Sequence, residues 1–172
     1  MAKANDAVTA TADMSAPSVA VTDTAFPPLD NEWVEVVAHA QRHFPRASLA
    51  FADLHAALAE AATGDEAGLQ RRIAGLQSLD RDGRLPPGEV APALAAGAAA
   101  LGRGDNAEAA RVLEPALVEL PRIGGSHAQR EVFEDSLIVA YLRSGQSTKA
   151  AALLRSRLGR RPSARDQAWL RV

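Results

Sequence analysis

With 172 residues, a formal charge of −2, no cysteine, and apolar residues at 47% against only 4% aromatic, the chain excludes several kinds of protein at once. The missing cysteine removes disulfides, thiolate catalysis and cysteine-held metals, and the charge argues against nucleic acid as a partner, since phosphate binding needs concentrated basic charge. Alanine and leucine must do the packing, which suits closely approaching helices, so an all-α fold is expected.

Residues 1–29 are rich in Ala, Thr, Ser, Asp and Pro and read as a low-complexity tail, disordered or extended. Asp6, Asp13 and Asp23 interrupt every apolar run long enough to serve as a secretory h-region. Nothing in the sequence approaches the roughly 18 apolar residues of a membrane span. A cytoplasmic protein without membrane insertion is the expectation.

Residues 30–172 are predicted to form one helical domain. Asp30-Asn31-Glu32-Trp33 opens a first helix, with acidic residues at its positive end, and Pro45 ends it. Ala50 to Ala62 gives a second helix with Leu54, Ala57, Leu58 and Ala61 inward. Gly64-Asp65 turns into a third around Leu69, Ile73, Leu76 and Leu79, so that about 30–80 reads as a degenerate first repeat. Asp80-Arg81-Asp82-Gly83 opens like a calcium loop, but Arg84 and Leu85 occupy positions that need a ligand and a glycine, so the pattern fails. Pro92 suits a first helical turn. The run Ala93 to Leu101 is almost wholly small residues, which admits a close neighbour.

Two later segments, about 90–121 and 126–162, match each other in register. Ser126 with Gln129 is a capping-box signature. Phe133, Leu137, Ala140 and Tyr141 follow at helical spacing, Gly145 stops the helix, Ser147 is placed to cap the next, and Pro162 closes it. Against the tetratricopeptide pattern the second segment reads Glu134, Leu137, Ile138, Tyr141, Ala150, Leu154 and Pro162. The first reads Ala93, Ala96, Gly97, Ala100, Ala109, Leu113 and Pro121. Turn glycines Gly104 and Gly145 lie 41 residues apart, longer than the usual period of about 34. The surplus falls at 114–125, which is expected to project or bend, with Pro115 interrupting a helix and Gly124 or Gly125 at positive φ. A short final helix, 163–171, is capped by Ser163 and Asp166 and covers the last face with Trp169 and Leu170. The expected architecture is an α-solenoid of tetratricopeptide-like helical hairpins.

The run Arg122-Ile123-Gly124-Gly125-Ser126-His127-Ala128-Gln129-Arg130-Glu131-Val132-Phe133 resembles a segment of the tetratricopeptide repeat protein 38 family, carried there between two helical hairpins. The likeness extends over roughly residues 30–172. The family's members carry several hundred further residues before this part, and what those do is not transferred. The resemblance implies an α-solenoid that binds protein, and it supplies no catalytic residue.

Function is therefore expected to be non-catalytic: a scaffold or accessory subunit that grips another polypeptide, with no cofactor. In such folds the first helix of each hairpin lines the concave face, which assigns partner binding to Leu94, Ala98 and Leu101, with Asp135, Val139 and Leu142 on the next hairpin. On that reading Leu94→Asp with Val139→Asp abolishes partner capture and spares helical content. A hydrophobic segment fits this surface, either an amphipathic helix or an extended strip such as the chain's own Val19 to Leu29. Arg122, His127 and Arg130 around a helix N-terminus make a candidate anion site, with neutralisation by Glu131 and Glu134 as the competing reading. The alternative function is a small metal-binding protein or enzyme using His39, His43 and the 122–130 loop. The two histidines stand at i and i+4, but Ala40 occupies the place of the zincin glutamate. No metal ligand is assigned. Ser126 and His127 are adjacent, and successive residues at a helix start point about 100° apart, which is unfit for a nucleophile and its base.

Overall fold

The structure, a computed structural model, describes residues 31–171. The predicted tail 1–29, its strip Val19 to Leu29, and Asp30 lie outside the described residues. The described chain is helical, with no strand among its residues: α1 (Asn31–His43), α2 (Ala50–Thr63), α3 (Glu66–Arg81), α4 (Val90–Gly102), α5 (Asn106–Val118), a 3-10 turn (Leu120–Ile123), α6 (His127–Arg143), α7 (Ser147–Arg160) and α8 (Ala164–Trp169). None of these helices is long and apolar enough to cross a membrane.

Three of the helix junctions are the same turn. Gly64, Gly104 and Gly145 have φ of 72°, 75° and 76°, and each donates its N–H to the carbonyl three residues back, on Ala61, Leu101 and Leu142. The next residue, Asp65, Asp105 or Gln146, donates to the carbonyl five residues back. This is the Schellman closure, which satisfies the last carbonyls of a helix and needs a residue without a Cβ penalty at positive φ. It makes antiparallel pairs of α2 with α3, α4 with α5, and α6 with α7. At the start of the second helix, Asp65 accepts from Gly68 N at 2.9 Å and Asp105 from Glu108 N at 3.1 Å. The third pair differs from the sequence reading: Ser147 is the first helical residue and does not cap, and Gln146 stands at the N-cap with its side chain donating back to Ser144 Oγ at 2.9 Å and not capping the helix. Ser126 and Gln129 form the complete capping box.

The pairs are layered so that α2, α4 and α6 are neighbours, with α4 also touching α3, α5 and the 3-10 turn. The packing is that of a helical bundle around α4. Leu54, Leu76, Leu94, Leu113, Phe133, Ile138 and Leu154 are each at most 1% exposed. Gly97 in α4 faces Leu113 so closely that a Cβ there would overlap its side chain. The surplus segment does not project. Pro115 does not interrupt the helix: it stands inside α5, which runs on to Val118, and the chain then passes into the 3-10 turn, burying Leu120 and Ile123 beside α4, because those two apolar side chains gain more from the core than from solvent. Gly124 and Gly125 both take positive φ, at 80° and 74°, and Gly125 lies against the Phe51 ring. Ser163 caps α8 through Asp166 N, and Trp169 is buried.

Two buried arginines tie the outer pairs. Arg72 of α3 bonds Asp53 at 2.6 Å and Glu60 at 2.7 Å on α2, all with side chains no more than 5% exposed. It also reaches the Phe44 carbonyl at 3.3 Å, while Asp53 Oδ2 accepts from the N–H groups of Ser48 and Leu49. Arg157 of α7, 2% exposed, lies among Glu134 and Asp135 of α6 and Asp166 of α8, the last at 3.0 Å. Burial opposes the charge on both arginines, and the carboxylates more than restore it, so both pKa values are raised.

Candidate functional site

The residues assigned to a partner-binding surface divide sharply. Leu94, Ala98, Leu101 and Val139 are buried at 0–4% exposure and belong to the core. The reason is the layering: α2 and α3 pack on α4 from the N-terminal side of the chain, and with α5, α6 and the 3-10 turn they make five neighbouring elements, so its inner face meets helices and not solvent. Leu142 is half-buried and packs on the same core. Asp135 is a partner of Arg157 and of Arg165, the latter at 2.9 Å. These six residues therefore do not form one open surface. Leu94→Asp with Val139→Asp becomes a folding test, because both carboxylates would be buried without a partner.

The candidate anion site is likewise occupied by the protein's own acceptors. Arg122 faces Glu119 at 3.9 Å, Arg130 donates to the carbonyls of Gly124 and Gly125, and His127 Nδ1 lies 3.3 Å from Glu131. Glu131 is held below its usual range, chiefly by its hydrogen bond with Arg161. Ser126 Oγ accepts from Gln129 N as a cap, and His127 is turned to Glu131, so serine and histidine are not paired with each other. His39 and His43 are exposed with ring centroids 4.3 Å apart. Among the described residues no group of three or more His, Cys, Asp or Glu is placed to hold a metal. The histidine pair lies on α1, which packs on α2, whereas the 122–130 segment leads from the 3-10 turn into α6.

The open concave feature beside the repeated hairpins is elsewhere, between α5, α6 and α7. It is a groove of about 390 Å³ with Leu117, Leu137 and Tyr141 inside and Val118, Ala152 and Leu153 along its walls. Val118 is 77% exposed, although it is a large apolar side chain. One end is polar: Lys149 Nζ bonds Glu114 at 2.7 Å and lies 5.4 Å from the centre of the Tyr141 ring. Burial first, and then the Glu114 carboxylate, push the Tyr141 phenol up to about 12. Glu114 is itself held low, mainly by Lys149. Glu134 at the other end is engaged by Arg160 at 2.9 Å. The groove thus presents an apolar strip between two neutralised polar ends, a surface that gains by covering apolar side chains.

Sequence reasoning missed this groove. Val118 and Leu117 follow Pro115, where the helical pattern is expected to break. Ala152 is exposed beside the Ala150–Leu154 stripe, and Leu153 is half-buried, with one side on the core and one on the groove. The usable signal is an apolar residue outside the packing stripe on each helix, Val118 on α5 and Ala152 on α7. Comparison of the chain with models of protein families, with curated proteins and with solved structures finds no match.

Proposed function

We propose that this chain is a non-catalytic protein-interaction module, a scaffold or accessory subunit, built as an α-solenoid of tetratricopeptide-like hairpins. Three copies of one Schellman-closed helical hairpin, 40 and 41 residues apart at their glycines (64, 104 and 145), support the repeat reading. The resemblance of residues 122–133 to the tetratricopeptide repeat protein 38 family supports it too. The observation that carries the binding role is the exposed Val118 beside the α5–α6–α7 groove, since a contiguous apolar cleft on a folded surface is a place where a partner's apolar side chains gain by docking. The partner is a polypeptide with an apolar anchor, and the proposed setting is the cytoplasm, with which a cysteine-free chain is compatible.

Val118 and Ala152 are both exposed, so Val118→Asp with Ala152→Asp is expected to leave stability within about 0.5 kcal/mol. A photo-crosslinking residue at 118 should join the wild-type chain to a discrete partner, and the double variant should lose that partner in pull-down. A variant that retains capture at unchanged melting temperature sinks the groove as the binding site.

A further inference from the structure

The histidine pair of α1 plays no part in the groove or in the core. α1 packs on α2 and buries Val37 and Ala40, while His39 and His43 are exposed. Residues four apart on a helix are neighbours on one face, and the two rings stand 4.3 Å apart, centre to centre, with their planes tilted by 39°. The other two of the chain's four histidines are engaged by the protein. His55 Nδ1 is 2.8 Å from the Phe51 carbonyl oxygen, with its ring against the Phe51 ring, and His127 Nδ1 is 3.3 Å from Glu131. His39 and His43 make no hydrogen bond or ion pair among the described residues and have only each other.

We propose that His39 and His43 chelate one late divalent transition-metal ion, with copper(II) held tightest. Neutral imidazole is the commonest metal ligand among side chains. The χ2 torsion of histidine is broad, so two exposed rings one helical turn apart turn readily to aim a nitrogen each at one point between them. The helix places both backbones in advance, which makes the second metal–nitrogen bond an intramolecular step. Among the described residues no third His, Cys, Asp or Glu is placed to join the pair, so water completes the coordination. Zinc sites take three or four protein ligands, more than this face supplies. Copper(II) and nickel(II) favour tetragonal surroundings of nitrogen and oxygen, in which two adjacent imidazoles fit, and copper heads the affinity order of the divalent ions.

Local charge does not create this site, and that sharpens the choice of ion. Glu35 stands one turn before His39 and is exposed. On the other side, Arg42 precedes His43 in the chain, and Arg46 and Arg84 line a cleft together with His43. A hard cation such as magnesium, which is bound through oxygens and charge, has one carboxylate there against three guanidiniums. An ion held by the strength of its bonds to imidazole nitrogen tolerates those arginines, and copper(II) makes the strongest such bonds of the series.

Titration of the full chain with copper(II), nickel(II), zinc(II) and magnesium chlorides, in a glycine buffer that strips weakly held copper, tests the assignment. One copper per chain should bind saturably and more tightly than nickel or zinc, and magnesium should not bind. Electron paramagnetic resonance of the one-to-one copper complex should report two equatorial imidazole nitrogens. His39→Ala and His43→Ala, both at exposed positions, should each weaken copper at least about tenfold by removing the chelate, and His127→Ala should leave it unchanged. Ala38→His combined with His39→Ala keeps the number of histidines but sets the pair five residues apart, off a shared face, and should bind no better than His39→Ala alone. Absence of saturable copper binding overturns the proposal, as do full affinity in either single variant, zinc held tighter than copper, or a transposed pair that matches the wild type. The histidines stand on α1 and the groove on α5, α6 and α7, so failure of either proposal leaves the other untouched.

Discussion

The outer pairs of helices and the middle pair reach the same turn and the same packing with opposite materials. In α2–α3 and α6–α7 a buried arginine on the second helix is clamped by carboxylates of the first. In α4–α5 that charge is absent, and the pair closes on alanine, on Leu113 and on the space left by Gly97. The position four residues before the turn glycine shows the exchange most directly: it holds Glu60, Ala100 and Tyr141 in the three copies, all buried. Within the central pair α4 is enclosed by five neighbouring elements, and its face toward α5 has no water to share with a charge. The α6–α7 pair sustains its buried arginine among carboxylates that Arg160, Arg161 and Arg165 also hold from the surface, whereas the α2–α3 clamp has its three side chains buried and draws further bonds from the backbone of the α1–α2 turn. A backbone turn can thus stay constant while the forces behind it change, because the turn is set by its own glycine and carbonyls and not by the core.

The largest expected effect comes from breaking a clamp. Arg72 is the partner that Asp53 and Glu60 share, and both carboxylates are at most 2% exposed. Arg72→Met should therefore cost about 3–5 kcal/mol, the range for stranding buried charge. Arg157→Met should cost less, because Arg160, Arg161 and Arg165 remain on Glu134, Glu131 and Asp135. Urea denaturation of the two variants measures the order. An Arg157 variant that is the less stable of the two would mean the surface arginines do not compensate.

Tyr141 gives a finer test of the same position. Its phenol is pushed up to about 12 by burial and by Glu114, whereas an unfolded tyrosine titrates near about 10. Between those values the folded state keeps a proton that the unfolded state has released, so stability is fully present below about pH 10 and falls as pH rises toward about 12. The total loss is of the order of 2–3 kcal/mol for a shift of about two units. Melting temperatures of the wild type and Tyr141→Phe, measured from pH 8 upward, should diverge in slope only above about pH 10, with the variant the flatter of the two. Parallel curves would show that the phenol is not held neutral by its site.

Much of this architecture is legible in the amino-acid sequence. Gly104 and Gly145 announce two turns, Ser126 with Gln129 announces a helix start, and the Leu113, Leu137 and Leu154 positions announce packing faces, because these signals are local and the chain obeys them locally. Arg72 and Arg157 are not legible in this way. A single arginine in a helical stripe reads as solvated surface, and only the arrival of Asp53, Glu60, Asp135 and Asp166 from other helices makes it buried. Leu94, Ala98 and Val139 mislead in the opposite sense. Their apolar stripe is real, but a stripe does not say whether its partner is another helix of the same chain or a different molecule. The layering of α2, α4 and α6 decides that question. The α5–α6–α7 groove draws its residues from three separate helices, so no spacing along the chain displays it.

The smallest effects should separate the middle pair from the outer one by sign. A glycine within a helix costs about 1 kcal/mol relative to alanine, so replacement should stabilise wherever a methyl fits. Gly159 in α7 has open space around its Cβ position, and Gly159→Ala should gain up to about 1 kcal/mol, less for its place in the last turn. Gly97 in α4 meets both the Cγ and a methyl of Leu113, a side chain with no exposure and so no room to swing away. Overpacking of that kind costs about 1–3 kcal/mol, which exceeds the propensity gain, and Gly97→Ala should lose about 1 kcal/mol net. Thermal melts of the two variants should therefore move in opposite directions from the wild type. If Gly97→Ala also raises the melting temperature, α4 and α5 have slack between them. Close approach of small residues would then not be what replaces the buried arginine in the middle of the fold.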